Sequence, residues 1–133
     1  INNNLQSIEQ IDQKTILLGD KMGEMFQFLA MGDIAIVCGS FMPNIGGHNV
    51  LEPALLKLAV ITGQYSFNNQ QLVKNMLDQE ALLLAQNETE LVKILAKLLE
   101  SKTLVKYSQA AYNFVQQNLG VSDKISNTIF CSN

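Results

Sequence analysis

Apolar and polar positions alternate in blocks along this chain, and the blocks change period. Short, unbroken apolar runs occur at Thr15-Ile16-Leu17-Leu18, Ile34-Ala35-Ile36-Val37-Cys38, Ala59-Val60-Ile61-Thr62 and Ala81-Leu82-Leu83-Leu84-Ala85. The first three runs, closed by Gly-Asp or Gly, read as strands, and Ile34 to Cys38 is apolar throughout, as for a strand covered on both faces; Ala81 to Ala85 can continue the preceding helix but is read as a short fourth strand. Between them the spacing turns helical. Met25, Phe28 and Leu29 share one face of a helix over Glu24 to Met31. Leu72, Val73, Met76 and Leu77 do the same between Gln70 and Gln79. Asn87 followed by Glu90 predicts a capping box opening a helix from Glu88 to Glu100, with Leu91, Ile94, Leu95, Leu98 and Leu99 facing the core. A further helix runs from Thr103 to Asn118 and stops at Gly120, and Ser122 starts a last one toward Phe130.

The order β-α-β-α-β-α-β followed by helices predicts a Rossmann-like parallel sheet with helices on both faces. One α/β body is expected over residues 14–119, with a polar lead-in at 1–13 and a C-terminal helix and tail at 120–133. In such sheets ligands lie outside the carboxyl ends of the strands. Three polar, glycine-bearing loops qualify: Gly19 to Glu24, Gly39 to Asn49, and Gly63 to Asn69. They are expected side by side on one rim.

The second loop is the richest. It runs Gly39-Ser40-Phe41-Met42-Pro43-Asn44-Ile45-Gly46-Gly47-His48-Asn49-Val50-Leu51-Glu52-Pro53 and passes from a strand into a helix start. Free amides at a helix start suit an anion such as phosphate. Gly46-Gly47 lets backbone approach a ligand, or simply makes a tight turn. Neither G-x-G-x-x-G nor Gly-Lys-Ser/Thr occurs there, which sets aside the dinucleotide and P-loop classes. Asn49 and Glu52 can form a capping box, and Glu52 can also accept hydrogen bonds from ribose hydroxyls. His48 is the sole histidine, without a partner pattern for a triad or a metal site, and either supports the loop or contacts a ligand. Glu24 either offsets a helix dipole or edges a nucleotide base together with Gly23.

Composition narrows the classes. The chain has 133 residues, 47% hydrophobic and 16% charged, enough for one core. Its net charge of −3 and lack of a basic cluster argue against nucleic acid. All nine basic residues are lysine, so a bidentate guanidinium grip must come from elsewhere. The lysines at 93, 97, 102 and 106 read as a solvated face. Two cysteines without metal or redox spacing suggest reducing, cytoplasmic conditions, with Cys38 a small apolar filler. A start at Ile1-Asn2-Asn3-Asn4, without an initiator methionine or signal peptide, suggests an excised fragment.

Taken in order, Gly19-Asp20-Lys21-Met22-Gly23-Glu24-Met25, Gly32 to Ser40, Gly46-Gly47-His48-Asn49-Val50-Leu51-Glu52-Pro53-Ala54, and Gly63 with Phe67-Asn68 resemble the C-terminal half of bacterial 3-deoxy-D-manno-octulosonic acid (Kdo) transferases. The resemblance spans Thr15 to Leu119. It implies a two-domain GT-B parent whose C-terminal domain binds the donor CMP-Kdo and which transfers Kdo to a lipid A precursor. That step belongs to lipopolysaccharide biosynthesis at the cytoplasmic face of a Gram-negative inner membrane. It further implies nucleotide contacts at Gly23, Glu24, Met25, Asn49, Val50, Leu51 and Glu52, with backbone near Asn49 toward phosphate and Glu52 toward ribose. Further donor or phosphate contacts are expected from Ser40, Gly46, Gly47, His48 and Asn68.

By the same resemblance, a Pro-Arg nucleotide contact lies upstream and the general-base glutamate in an N-terminal domain, which would also carry the acceptor and any membrane contact. No catalytic residue, metal or cofactor is therefore expected here, and the fragment alone is expected to be inactive. Val50 stands for a usual proline, Cys38 for a usual glycine and Gln64-Tyr65 for a usual Pro-His, the last putting donor contact through the third loop in question. Alternatives are a GT-B enzyme using a UDP-sugar and a non-catalytic nucleotide-binding or interaction domain.

Overall fold

The computed structural model describes residues 16–20 and 22–118. Three strands form one parallel sheet in the order β1-β2-β3: β1 Ile34–Val37, β2 Ala59–Gly63 and β3 Leu83–Ala85. Helix α1 spans Met25–Ala30, α2 Leu51–Leu55, α3 Gln70–Asp78, α4 Glu88–Leu98 and α5 Ser101–Asn118. Short 3₁₀ turns at Cys38–Phe41 and Phe67–Asn69 follow the first two strands.

Both faces of the sheet are covered, as the β-α alternation predicts. On one face Val37 and Val60 pack with Val50 and Ala54 around α2, Val73 and Met76 of α3, and Ala111, Phe114 and Val115 of α5. On the other, Ala59, Ile61 and Ala85 meet Leu98, with Leu91, Ile94 and Leu95 of α4 and Leu104 of α5 alongside. Strand β2 is central and buried at every position, because it has a strand on each side and helices above and below. That accounts for its unbroken apolar sequence.

Three expectations are corrected. The Thr15 to Leu18 strand does not appear: Ile16 to Asp20 have no regular structure, Ile16 is 94% exposed, and Thr15 lies outside the described residues. An apolar run becomes a strand only where a neighbour takes its backbone hydrogen bonds. Among the described residues no strand lies on the outer edge of β1. Among the described residues the sheet accordingly has three strands and not the expected four. Nor is β1 covered on both faces, since Ala35 and Val37 are buried but Ile36 is 39% exposed.

The helix starts follow their side chains. At α4 the Asn87 side chain accepts from the Glu90 amide at 3.0 Å, the capping interaction read from the sequence. The return bond differs, because Glu90 Oε2 accepts from the Gln86 amide at 2.8 Å and so ties the end of β3 to the helix start. The Gly120 cap, the Ser122–Phe130 helix and the lead-in at 1–13 lie outside the described residues.

Candidate functional site

A cleft of about 490 Å³ opens at the carboxyl end of β1. Met25 and Leu29 of α1 form one wall, and Ala35, Ile36, Val37 and Cys38 form the floor along β1. His48, Asn49, Glu52 and Pro53 form the opposite wall. The floor and α1 side are apolar, whereas the polar groups are gathered on the second loop. A flat, partly apolar ligand with hydroxyl or charged groups along one edge suits that division.

The polar wall is built at the entry to α2. Asn49 Oδ1 accepts from the Leu51 amide at 3.0 Å, and Asn49 Nδ2 donates to Glu52 Oε1 at 3.1 Å. The Asn49–Glu52 pair therefore exists, but as a side-chain to side-chain bond and not as the expected capping box, since Val50 takes the N-cap position. Glu52 is half-buried at the cleft wall with its second oxygen in no intramolecular hydrogen bond among the described residues. Backbone amides offer less than the sequence suggests. Helix α2 has five residues, its Leu51 amide is already engaged, and Pro53 has no N–H, so little macrodipole builds up.

His48 is exposed, lines the cleft and packs close to Gly39 in the turn after β1. A Cβ on Gly39 would stand 2.8 Å from His48 Cδ2 and 2.9 Å from Nε2, so the ring occupies space that only a glycine leaves free. Gly46 is held in the left-handed region at φ 77°, and a Cβ there would reach within 2.6 Å of Asn68 Nδ2. The Gly-Gly pair is thus a loop-to-loop packing point as well as a turn. Gly47 is half-buried near Ser66.

The predicted residues separate into groups. Met25, His48, Asn49 and Glu52 come together around the cleft. Gly23, with φ 87°, and Glu24 lead into α1 beside it, where the Glu24 carbonyl accepts from the Gln27 and Phe28 amides. Val50 is 1% exposed, so its side chain belongs to the core, and Leu51 packs against that core. Ser40 has no exposed surface and is engaged inside the protein. Gly46 and Asn68 lie behind the cleft wall, so the third loop supports the second and does not line the cleft. The three-loop rim reduces to two walls and a backing.

Cys38 is a correction: it is an exposed thiol on the cleft floor, not a core filler. Alternation after buried Val37 turns it outward just as the strand gives way to a 3₁₀ turn. Leu29, Ile36 and Pro53 also line the cleft without having been singled out by sequence, because their apolar character reads as core. Among the described residues no cluster of His, Cys, Asp or Glu has metal-binding geometry, and no helix is long and apolar enough to cross a membrane.

Comparisons with known proteins bear on this cleft. The chain is 32% identical over 112 residues to the 3-deoxy-D-manno-octulosonic acid transferase of Haemophilus influenzae and 38% identical over 94 residues to that of Aquifex aeolicus. These matches cover 83% and 71% of the chain, and 26% of each relative. The crystal structure of the C-terminal CMP-Kdo binding domain of WaaA from Acinetobacter baumannii superposes with a TM-score of 0.69 at 34% identity, over 74% of this chain and 51% of that one.

The chain is similar in sequence to part of the Kdo transferases and in fold to the CMP-Kdo binding domain of one of them.

It spans about a quarter of the length of the curated relatives it matches. No protein-family model matches it. The open parallel sheet is that of the C-terminal domain of a GT-B glycosyltransferase, as the resemblance implies.

Proposed function

We propose that this chain forms part of the donor site of a Kdo transferase and that the cleft between α1 and the Asn49–Glu52 turn receives the CMP moiety of CMP-Kdo. The observation that carries this reading is the placement of Met25, His48, Asn49 and Glu52 around one cleft at the carboxyl end of β1. It is supported by the match to a domain described as CMP-Kdo binding. The apolar floor takes the faces of the base and sugar, and Glu52, oriented by Asn49, accepts from the ribose hydroxyls.

Transfer joins an acceptor hydroxyl to the anomeric carbon of Kdo, breaks the bond to phosphate and releases CMP. In this proposal the residues here hold the leaving nucleotide, while a glutamate on the parent's other domain removes the acceptor proton. The acceptor is a lipid A precursor, reached at the cytoplasmic face of a Gram-negative inner membrane through that other domain. No metal or cofactor takes part, and this chain alone does not turn over.

Titration with CMP and UMP, followed by backbone amide shifts, tests the reading. Shifts at Met25, Asn49 and Glu52 with CMP preferred support it. Preference for UMP would point to a UDP-sugar enzyme, and indifference to both to a non-catalytic interaction domain.

A further inference from the structure

We propose that Ser40 is a positioning residue for the donor cleft, acting without touching the ligand; this rests on the cleft being the nucleotide site. Its hydroxyl donates to the Val37 carbonyl at 2.6 Å and accepts from the Gly63 amide at 2.6 Å. Its carbonyl accepts from the Tyr65 amide at 2.8 Å. Ser40 is fully buried, so one residue joins the end of β1 to the end of β2 beneath the surface.

Gly63 is fitted to the same joint, because any side chain there would run into the Ser40 carbonyl. Ser40 sits in the 3₁₀ turn Cys38–Phe41, which also carries Gly39, against which His48 packs, and Cys38, on the cleft floor. Fixing Ser40 thus fixes two features of the cleft through the turn they share. Preorganised walls spare a ligand the cost of ordering them on binding. Removing the hydroxyl leaves the buried Gly63 amide without its acceptor and frees the turn to shift.

The test compares the unmutated protein with Ser40→Ala by three readouts at a temperature where circular dichroism shows both folded. These are hydrogen exchange at the Gly63 and Tyr65 amides, the His48 ring-proton shifts, and affinity for CMP. Faster exchange, moved His48 resonances and a loss of CMP affinity of about tenfold are expected, the scale of one buried hydrogen bond lost. A folded Ser40→Ala protein with unmoved His48 resonances and CMP affinity within about twofold of normal would overturn the proposal, since a purely stabilising role predicts that pattern. Should the alanine variant fail to fold, Ser40→Cys fills the site with a slightly larger group that is a far weaker donor and acceptor, and carries the same readouts. If the unmutated protein ignores CMP, the donor reading falls, and the His48 shifts and amide exchange still decide whether Ser40 positions the cleft.

Discussion

Asn49 and Glu52 are bonded to each other by their side chains, amide Nδ2 to carboxylate Oε1 at 3.1 Å. Because Asn49 is itself pinned through Oδ1 to the Leu51 amide, the carboxylate is aimed by a residue whose own rotamer is fixed. One oxygen of Glu52 is held and the other is left for a ligand. If the cleft takes the nucleotide, Glu52→Ala weakens CMP binding by roughly 1–3 kcal/mol, the range for a lost charge-assisted hydrogen bond. Isothermal titration checks this, and unchanged affinity would remove Glu52 from the site.

Asn49→Ala separates aiming from contact. It keeps the carboxylate but frees its rotamer, so the expected loss is smaller than for Glu52→Ala, and the double variant should lose less than the sum of the two. A double-mutant cycle on CMP affinity measures the coupling. Strict additivity would mean that Asn49 does not act through Glu52.

Thr62 lies on central β2, fully buried, and its hydroxyl has no hydrogen-bond partner among the described residues. Such a group incurs a desolvation cost without compensation. Thr62→Val, which replaces the hydroxyl with a methyl of similar shape, should raise stability by about 1 kcal/mol, seen as a higher urea midpoint at unchanged slope. A lower midpoint would indicate that the hydroxyl is satisfied by water.

Asn87 is the clearest helix start, with its side chain accepting from the Glu90 amide. Asn87→Ala should cost about 1 kcal/mol, with Asn87→Asp close to neutral because the acceptor is retained. Thermal unfolding of both variants tests the pair. Equal losses would place the effect outside the cap.

What could be read in advance follows from how local each signal is. β2, α3, α4 and α5 rest on patterns contained in their own residues, and the structure places them where apolar spacing and the Asn87–Glu90 pair put them. The Ile16 to Leu18 run failed because a strand is a relation to a neighbour, which spacing alone cannot supply. Within the site, Asn49 and Glu52 were legible as a pair three residues apart. The Ser40–Gly63 bond is not legible in the sequence, because the two residues lie 23 positions apart and no local pattern joins them. Cys38 reads as filler in the sequence for a related reason: where a strand ends decides which way its last residue faces.

Glu80 offers a test of backbone strain against a charge pair. It adopts φ 52°, the left-handed region that side chains disfavour, just beyond the end of α3, and its carboxylate accepts from Lys106 Nζ at 2.8 Å. Glu80→Gly relieves the strain and removes the pair, so the net effect depends on conditions. The hydrogen bond to Glu80 raises the Lys106 pKa from its usual 10.5. A raised folded-state value means that the pair's contribution is fully present below 10.5 and is lost as pH rises through the higher folded value. Both side chains are more than half exposed, so salt also screens the pair. Relative to the unmutated protein, Glu80→Gly should therefore gain stability on adding salt at neutral pH, and gain again as pH climbs past the Lys106 titration. Denaturation midpoints of the two proteins across salt and pH measure this. A difference that stays flat along both axes would show that the contact contributes nothing and that the backbone alone sets the effect.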